Sequence, residues 1–253
     1  MTTWSIRRKY GYFLLFVILF VIIAGVPGYF LFYEKPTCFD GKQNGTERGT
    51  DCGGDCVKLC SADFSAPKVL WSYSMNVAPS VFNALAYVHN PNQSVEALSV
   101  PYLLRLYDSE GVLIAERRGS AYVPAGQRFA VFEGGINTGV RTPVKTTFEW
   151  SSDPAWRPAE SFTDLRVDDI IVEEGERPKA EVKIKNTSPV TTYSNIDAFI
   201  VLYDKNDNRV AFSKTLIDKI RKEETKSLYY TWPIALPGEI VRSEVLFVLR
   251  PVK

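Results

Sequence analysis

The stretch AEVKIKN, residues 180–186, alternates sides: Ala180, Val182 and Ile184 fall on one face, and Glu181, Lys183 and Lys185 on the other. A period of two marks a strand with one buried face. Strand-like runs follow at 196–204, 209–217, 227–232 and 241–249, with the polar turn Lys205-Asn-Asp-Asn208 separating the first two. No segment of this half carries a strong helical period, although 216–221 reads as a short helical turn.

The same plan occurs upstream. Leu106-Tyr107-Asp108 matches Leu202-Tyr203-Asp204 at an offset of 96, and at that offset Asn90 meets Asn186, Val88 meets Ile184, and Ile114-Ala115 meet Val210-Ala211. The register holds without a gap over 84–115, and Val140-Arg141 realigns with Val241-Arg242 at an offset of 101. Short strands with turns between them predict a mainly β chain built from two tandem, immunoglobulin-like antiparallel sandwiches. Two copies of roughly 95 residues make domains rather than a solenoid.

The segment TTYSNIDAFIVLYDKNDNRVAFSKT, Thr191 to Thr215, resembles the prokaryotic envelope domain family named for an F-x-L-Y-D motif. The resemblance covers most of the second copy and, more weakly, the first. It implies an immunoglobulin-like β-sandwich of binding-type or unknown role, related in layout to late-embryogenesis-abundant type 2 domains, with no catalytic residue. Ile200 and Leu104 stand where the motif has phenylalanine, so the likeness is one of layout. The motif reads as structure: Leu202 in the core, Tyr203 over the outer sheet face, Asp204 opening the turn.

From Tyr10 to Tyr33 there is no charged residue, whereas Arg7, Arg8 and Lys9 precede the run and Glu34 and Lys35 follow it. About 20 apolar residues span the hydrocarbon core of a bilayer. The positive-inside bias keeps the short tail cytoplasmic and sends the rest outward. A cleavable signal peptide is the competing reading, but its apolar region is shorter and ends in small residues. An uncleaved single-pass anchor in the cell membrane is therefore expected, with Pro27 kinking its outer third.

Next comes CFDGKQNGTERGTDCGGDCVKLC, residues 38–60, holding Cys38, Cys52, Cys56 and Cys60, all four cysteines of the chain. Outside the cytoplasm such cysteines form disulfides, and four allow three pairings between which spacing does not choose. Zinc is the alternative, though C-x3-C-x3-C is not the usual knuckle spacing. Asp40, Asn44, Glu47, Asp51 and Asp55 are interleaved with glycines, a hard-oxygen set suited to calcium; the plainer reading is that they are solvated loop residues. The segment is similar to short cysteine-rich repeats of prokaryotic surface proteins, carried here by C-x-D-G-x2-N-x2-E-x-G-x-D-C-G-G-x-C from Cys38 to Cys56. That likeness implies a spacer stabilised by calcium and disulfides.

Composition narrows the remaining chemistry. With a formal net charge of +1 and one histidine, His89, the chain offers no electrostatic case for nucleic acid and no histidine-based triad or multi-histidine metal site. No phosphate loop or C-x-x-C redox motif is present, and no small-molecule substrate is indicated. A carboxylate pair for glycoside hydrolysis is a matter of spatial separation that sequence does not give. Leu85 and Tyr87 form an apolar outward stripe where the second copy has Glu181 and Lys183; the stripe is covered by its own loops or by the neighbouring domain, or it contacts a partner. Trp150 and Trp156 are expected to pack at the junction between the sandwiches, a sugar-binding platform being the sharper alternative.

The expected organisation is a cytoplasmic tail (1–9), a transmembrane helix (10–33), a cysteine-rich disulfide and calcium collar (34–61), sandwich one (62–152), a linker (153–161) and sandwich two (162–253). The expected function is non-catalytic: a membrane-anchored envelope protein that binds or scaffolds another envelope component. The alternative is an accessory subunit of a larger secretion or surface-appendage complex.

Overall fold

The computed structural model describes residues 3–159 and 164–249; Met1 and Thr2 of the expected tail, positions 160–163 around the expected linker end, and 250–253 lie outside the described residues. The chain divides into two compact units, Met1–Cys56 and Val57–Lys253.

The first unit opens with α1 (Thr3–Phe20), a π-helical turn (Val21–Gly25) and α2 (Val26–Phe32). The widened turn comes just before Pro27, which lacks an amide and whose ring crowds the carbonyl four residues back. Arg8–Tyr29 is a helix of 22 residues, long and apolar enough to cross a membrane, and none of its residues is buried. Tyr33 leaves the helix in an extended conformation, its ring stacked on Tyr29 with centroids 4.9 Å apart.

The second unit opens with a 3-10 turn (Ser61–Asp63) and is otherwise built of strands among the described residues. Its first half contains β1 (Lys68–Ala78), β2 (Val81–His89), β3 (Val95–Tyr107), β4 (Leu113–Val123), β5 (Arg128–Asn137), β6 (Lys145–Trp150) and the short β7 (Arg157–Pro158). Its second half contains β8 (Leu165–Glu173), β9 (Lys179–Asn186), β10 (Tyr193–Tyr203), β11 (Arg209–Ile220), β12 (Thr225–Thr231) and β13 (Arg242–Leu249). The sheet orders are β1-β2-β5 with β4-β3-β6, and β8-β9-β12 with β11-β10-β13, so one strand plan serves both halves. All the pairings are antiparallel. β7 pairs with the start of β3, which places Arg157 and Pro158 of the expected linker (153–161) in the first sandwich.

The register corrects two sequence expectations. Tyr107 faces Lys145 and Tyr203 faces Arg242, so β6 corresponds to β13 at an offset of 97. The Val140-Arg141 match is therefore fortuitous; Val144, whose amide bonds Tyr107, is the counterpart of Val241, whose amide bonds Tyr203. The expected helical turn at 216–221 is the end of β11, where Ile217 and Ile220 are buried and Leu216, Asp218 and Lys219 are exposed.

Two local devices recur. Asn90 and Asn186 are fully buried. The Asn90 amide group donates to the Val95 and Pro124 carbonyls at 3.1 and 2.8 Å, and its oxygen accepts the Asn92 amide. Asn186 does the same with Thr191 and Arg221 at 2.8 and 2.9 Å, and with the Ser188 amide. Asp108 and Asp204 each close the following turn with one carboxylate oxygen that accepts two backbone amides. Those bonds stabilise the charged form and hold both carboxyls below the ordinary aspartate range, led by the Val112 amide for Asp108 and the Asn208 side chain for Asp204.

The two sandwiches pack face to face. The outer face of β1-β2-β5 presents Trp71, Tyr73, Met75, Leu85, Tyr87 and Phe132 to the outer face of β11-β10-β13. Phe212 of β11 meets Tyr73 and Phe132 edge-on at 6.3 and 6.0 Å, and its amide points at the Met75 sulfur at 3.4 Å. Strand β10 is consequently buried on both faces from Ala198 to Tyr203. The two remaining outer faces carry charge instead. On β4-β3-β6, Glu116 pairs with Arg105 and Arg118, both at 2.9 Å. On β12-β9-β8, Glu181, Lys183 and Lys185 point outward.

Candidate functional site

Two places gather the candidate residues: the cysteine-rich loop of the first unit and the contact between the sandwiches.

The loop has few apolar side chains, so covalent and polar links shape it. Cys38 and Cys56 form a disulfide with Cα atoms 5.7 Å apart, Cys52 and Cys60 are disulfide-bonded as well, and no cysteine is free. This settles the pairing that spacing left open and removes the thiolates a zinc site requires. Cys38, Glu47 and Cys56 bring potential ligand atoms within 4.8 Å of one another, but both sulfurs belong to the disulfide. Gly54 is obligatory: its φ is +61°, and a Cβ there would lie 2.0 Å from the Thr46 carbonyl oxygen.

The five oxygen-bearing residues divide into two groups. Asp40 and Asp51 brace the backbone. Asp40 accepts the Lys42 amide at 2.9 Å, the Asn44 side-chain amide at 2.9 Å and the Thr37 amide at 3.2 Å. The Asn44 bond, followed by that from Lys42, holds its carboxyl below the ordinary range. Asp51 accepts the Gly41 amide through both oxygens, at 3.1 and 3.0 Å. Asn44, Glu47 and Asp55, by contrast, line a cleft of about 280 Å³ together with Pro36, Thr37 and Thr46. Glu47 spends one oxygen on the Asn44 and Asp51 amides, and Asp55 accepts the Thr46 hydroxyl at 3.0 Å. The Asn44 side-chain oxygen is buried with no hydrogen-bond donor. A buried oxygen without a donor is costly, and an amide oxygen and two carboxylates lining one cleft are ligand types that a hard cation takes.

Of the expectations for the Leu85–Tyr87 stripe, the structure bears out cover by the neighbouring sandwich and not a free contact surface. Leu85 is fully buried and Tyr87 is 3% exposed, both beneath the second sandwich, so neither is available to an outside partner. Tyr87 stacks on Trp71 with rings 5.0 Å apart, and the Arg209 guanidinium lies 5.1 Å over the Trp71 ring. The Tyr87 hydroxyl donates to Glu244, which also accepts from Tyr203 at 3.3 Å, while Arg242 covers the Tyr203 ring at 3.6 Å. Burial, and then the Glu244 charge, pushes the Tyr203 hydroxyl up to about 12.

Trp156 is 2% exposed against Phe64, and Trp150 donates its indole N–H to the Pro67 carbonyl at 3.2 Å. Trp156 is too buried to offer the open platform that sugar stacking needs, and Trp150 is half-buried and edge-on to Phe148. They seal the segment before β1 onto the first sandwich, where Ser61 also bonds the Pro154 carbonyl at 3.0 Å.

Phe212, Glu244, Arg209 and Arg242 are contact residues that periodicity did not single out. The available signal was AFIVLY at 198–203, an unbroken apolar run that a strand with one solvated face does not carry. Asn44, Asn92 and Asn186 each begin an N-x-S/T glycosylation sequence, and each side-chain amide is already bonded: Asn186 is buried in its clasp, Asn92 donates to Ser65 and Asn90, and Asn44 donates to Asp40.

No family model matches the chain, and no curated protein resembles it at a significant level.

Proposed function

We propose that this is a non-catalytic, single-pass membrane protein whose paired β-sandwiches lie outside the cytoplasm and bind or scaffold another component of the cell envelope. The observation that carries the reading is the 22-residue apolar helix, none of whose residues is buried, in a chain whose four cysteines are all oxidised. An uncovered apolar helix is stable in lipid, and disulfides persist in an oxidising compartment. Arg7, Arg8 and Lys9 on its N-terminal flank favour a cytoplasmic N-terminus. The likeness to the F-x-L-Y-D domain family and to cysteine-rich surface repeats belongs to the same proposal.

Calcium in the loop is part of this reading. Asn44, Glu47 and Asp55 would hold it, with Asp40 and Asp51 keeping the loop in shape. The ion would add a cross-link to a segment that has little core of its own.

The test is crosslinking in native membranes, followed by detergent extraction and identification of neighbours. Recovery with one envelope ligand supports the proposal. Recovery as a stoichiometric member of a stable multi-subunit complex replaces it with the accessory-subunit reading, and hydrolysis of cell-wall glycans by the purified chain overturns it. For calcium, protease resistance of residues 34–60 is compared with and without chelator; equal cleavage rates count against a bound ion.

A further inference from the structure

Phe39 is 93% exposed, the most exposed aromatic side chain among the described residues. Single exposed apolar residues are common on folded proteins; the setting of this one is not. It sits between Cys38, fixed by the disulfide to Cys56, and Asp40, whose carboxylate accepts the amides of Thr37 and Lys42. The following Gly41 is held by Asp51. The turn is therefore pinned on both sides, and the ring projects from it with no protein surface to cover it.

The turn is also tied to the end of the helix. Lys42 Nζ lies 2.9 Å from the Glu34 carboxylate, and Glu34 directly follows Tyr33, the last residue of the Tyr29–Tyr33 stack. Aromatic residues at the end of an apolar span occupy the interfacial zone of a bilayer. The Glu34–Lys42 ion pair thus closes the segment that carries Phe39 onto the residue that follows the stack, and that segment also holds the cations Lys35 and Lys42. An exposed aromatic with neighbouring lysines fits the boundary between headgroups and acyl chains.

We propose that Phe39 docks the loop onto the outer leaflet of the membrane that the helix crosses, its ring entering the headgroup–acyl boundary beside the Tyr29–Tyr33 end. The proposal rests on the anchor reading above. Its effect is to restrain the loop at the lipid surface in addition to the tether of the chain.

The experiment uses the full chain in phosphatidylcholine vesicles, with and without lipid brominated near the headgroup end of its acyl chains. Phe39→Trp and, separately, Tyr29→Trp are compared with the parent chain, so that the fluorescence of the added indole is read by difference. Position 39 is exposed, so the exchange leaves packing intact, and the absence of free thiols verifies the fold. The expected result is about twofold or stronger quenching of the indole at position 39 by brominated lipid, with shielding from aqueous iodide. Quenching at position 29 but not at 39, with free iodide access at 39, overturns the docking and leaves the anchor standing. Quenching at neither position overturns both.

Discussion

The Tyr87 hydroxyl on β2 donates to the Glu244 carboxylate on β13, a bond between the two sandwiches that shares its acceptor with Tyr203. Tyr87→Phe leaves a largely buried carboxylate with one donor fewer, and should lower stability by roughly 1–3 kcal/mol in urea unfolding. A double cycle with Tyr203→Phe should be non-additive, because both hydroxyls serve one group. Additive, negligible losses would show that the network contributes nothing beyond packing.

Alkaline pH tests the same contact. Burial raises the hydroxyl pKa of Tyr87, Tyr203 and Tyr230 above the free value of 10.0, Tyr203 to about 12. Between those values the unfolded chain releases tyrosine protons that the folded chain retains, so stability falls as pH rises. It is fully present below pH 10 and declines by about 1.4 kcal/mol per pH unit for each proton retained. A thermal midpoint that stays flat through this window contradicts the buried placement of the three rings.

Residues 164–253 produced alone uncover Phe199, Val201, Phe212 and Leu246, all of them buried in the whole chain. The fragment should self-associate, by sedimentation or light scattering. Val201→Arg with Phe212→Glu, which copies Arg105 and Glu116 from the matching positions of the first sandwich, should return it to a monomer. A monomeric parent fragment would show that the face does not need its cover.

Asn186→Ala removes an amide that serves the carbonyls of Thr191 and Arg221 and an oxygen that serves the buried Ser188 amide. The buried amide left without an acceptor should cost roughly 1–3 kcal/mol. Asn186→Asp should also destabilise, since it sets a carboxylate oxygen against carbonyls. Recovery of full stability in either variant would remove the clasp as a structural element. Mass spectrometry should likewise find Asn186 unglycosylated in folded protein.

Much of this fold is legible in single residues. Ile184 and Lys183 reveal a half-buried strand, and Leu106-Tyr107-Asp108 with Leu202-Tyr203-Asp204 reveal the recurring plan. Strand β8 escaped because a bulge between Val167 and Asp169 moves the inward set from Leu165 and Val167 to Ile170 and Val172, which breaks the period of two. Leu85 and Tyr87 were visible as an anomaly, but the surface that covers them comes from residues more than a hundred positions later. In the loop, alternating acids and glycines indicated oxygen chemistry. Which acids line the cleft and which brace the turns depends on hydrogen bonds that spacing does not encode.

The placement of charge on the four sheets has a consequence for how many sandwiches this chain can carry. A duplicated module that stacks through unlike faces has no inherent stopping point, since each new copy exposes the surface that recruits the next. Here Leu85 and Phe212 are apolar at the junction, while their counterparts at the two ends are the carboxylic residues Glu181 and Glu116. The series is punctuated at both ends. A third module, or a fibre of whole chains growing by the same docking, would have to bury those carboxylates, so a handful of substitutions separates a terminated pair from an open-ended polymer.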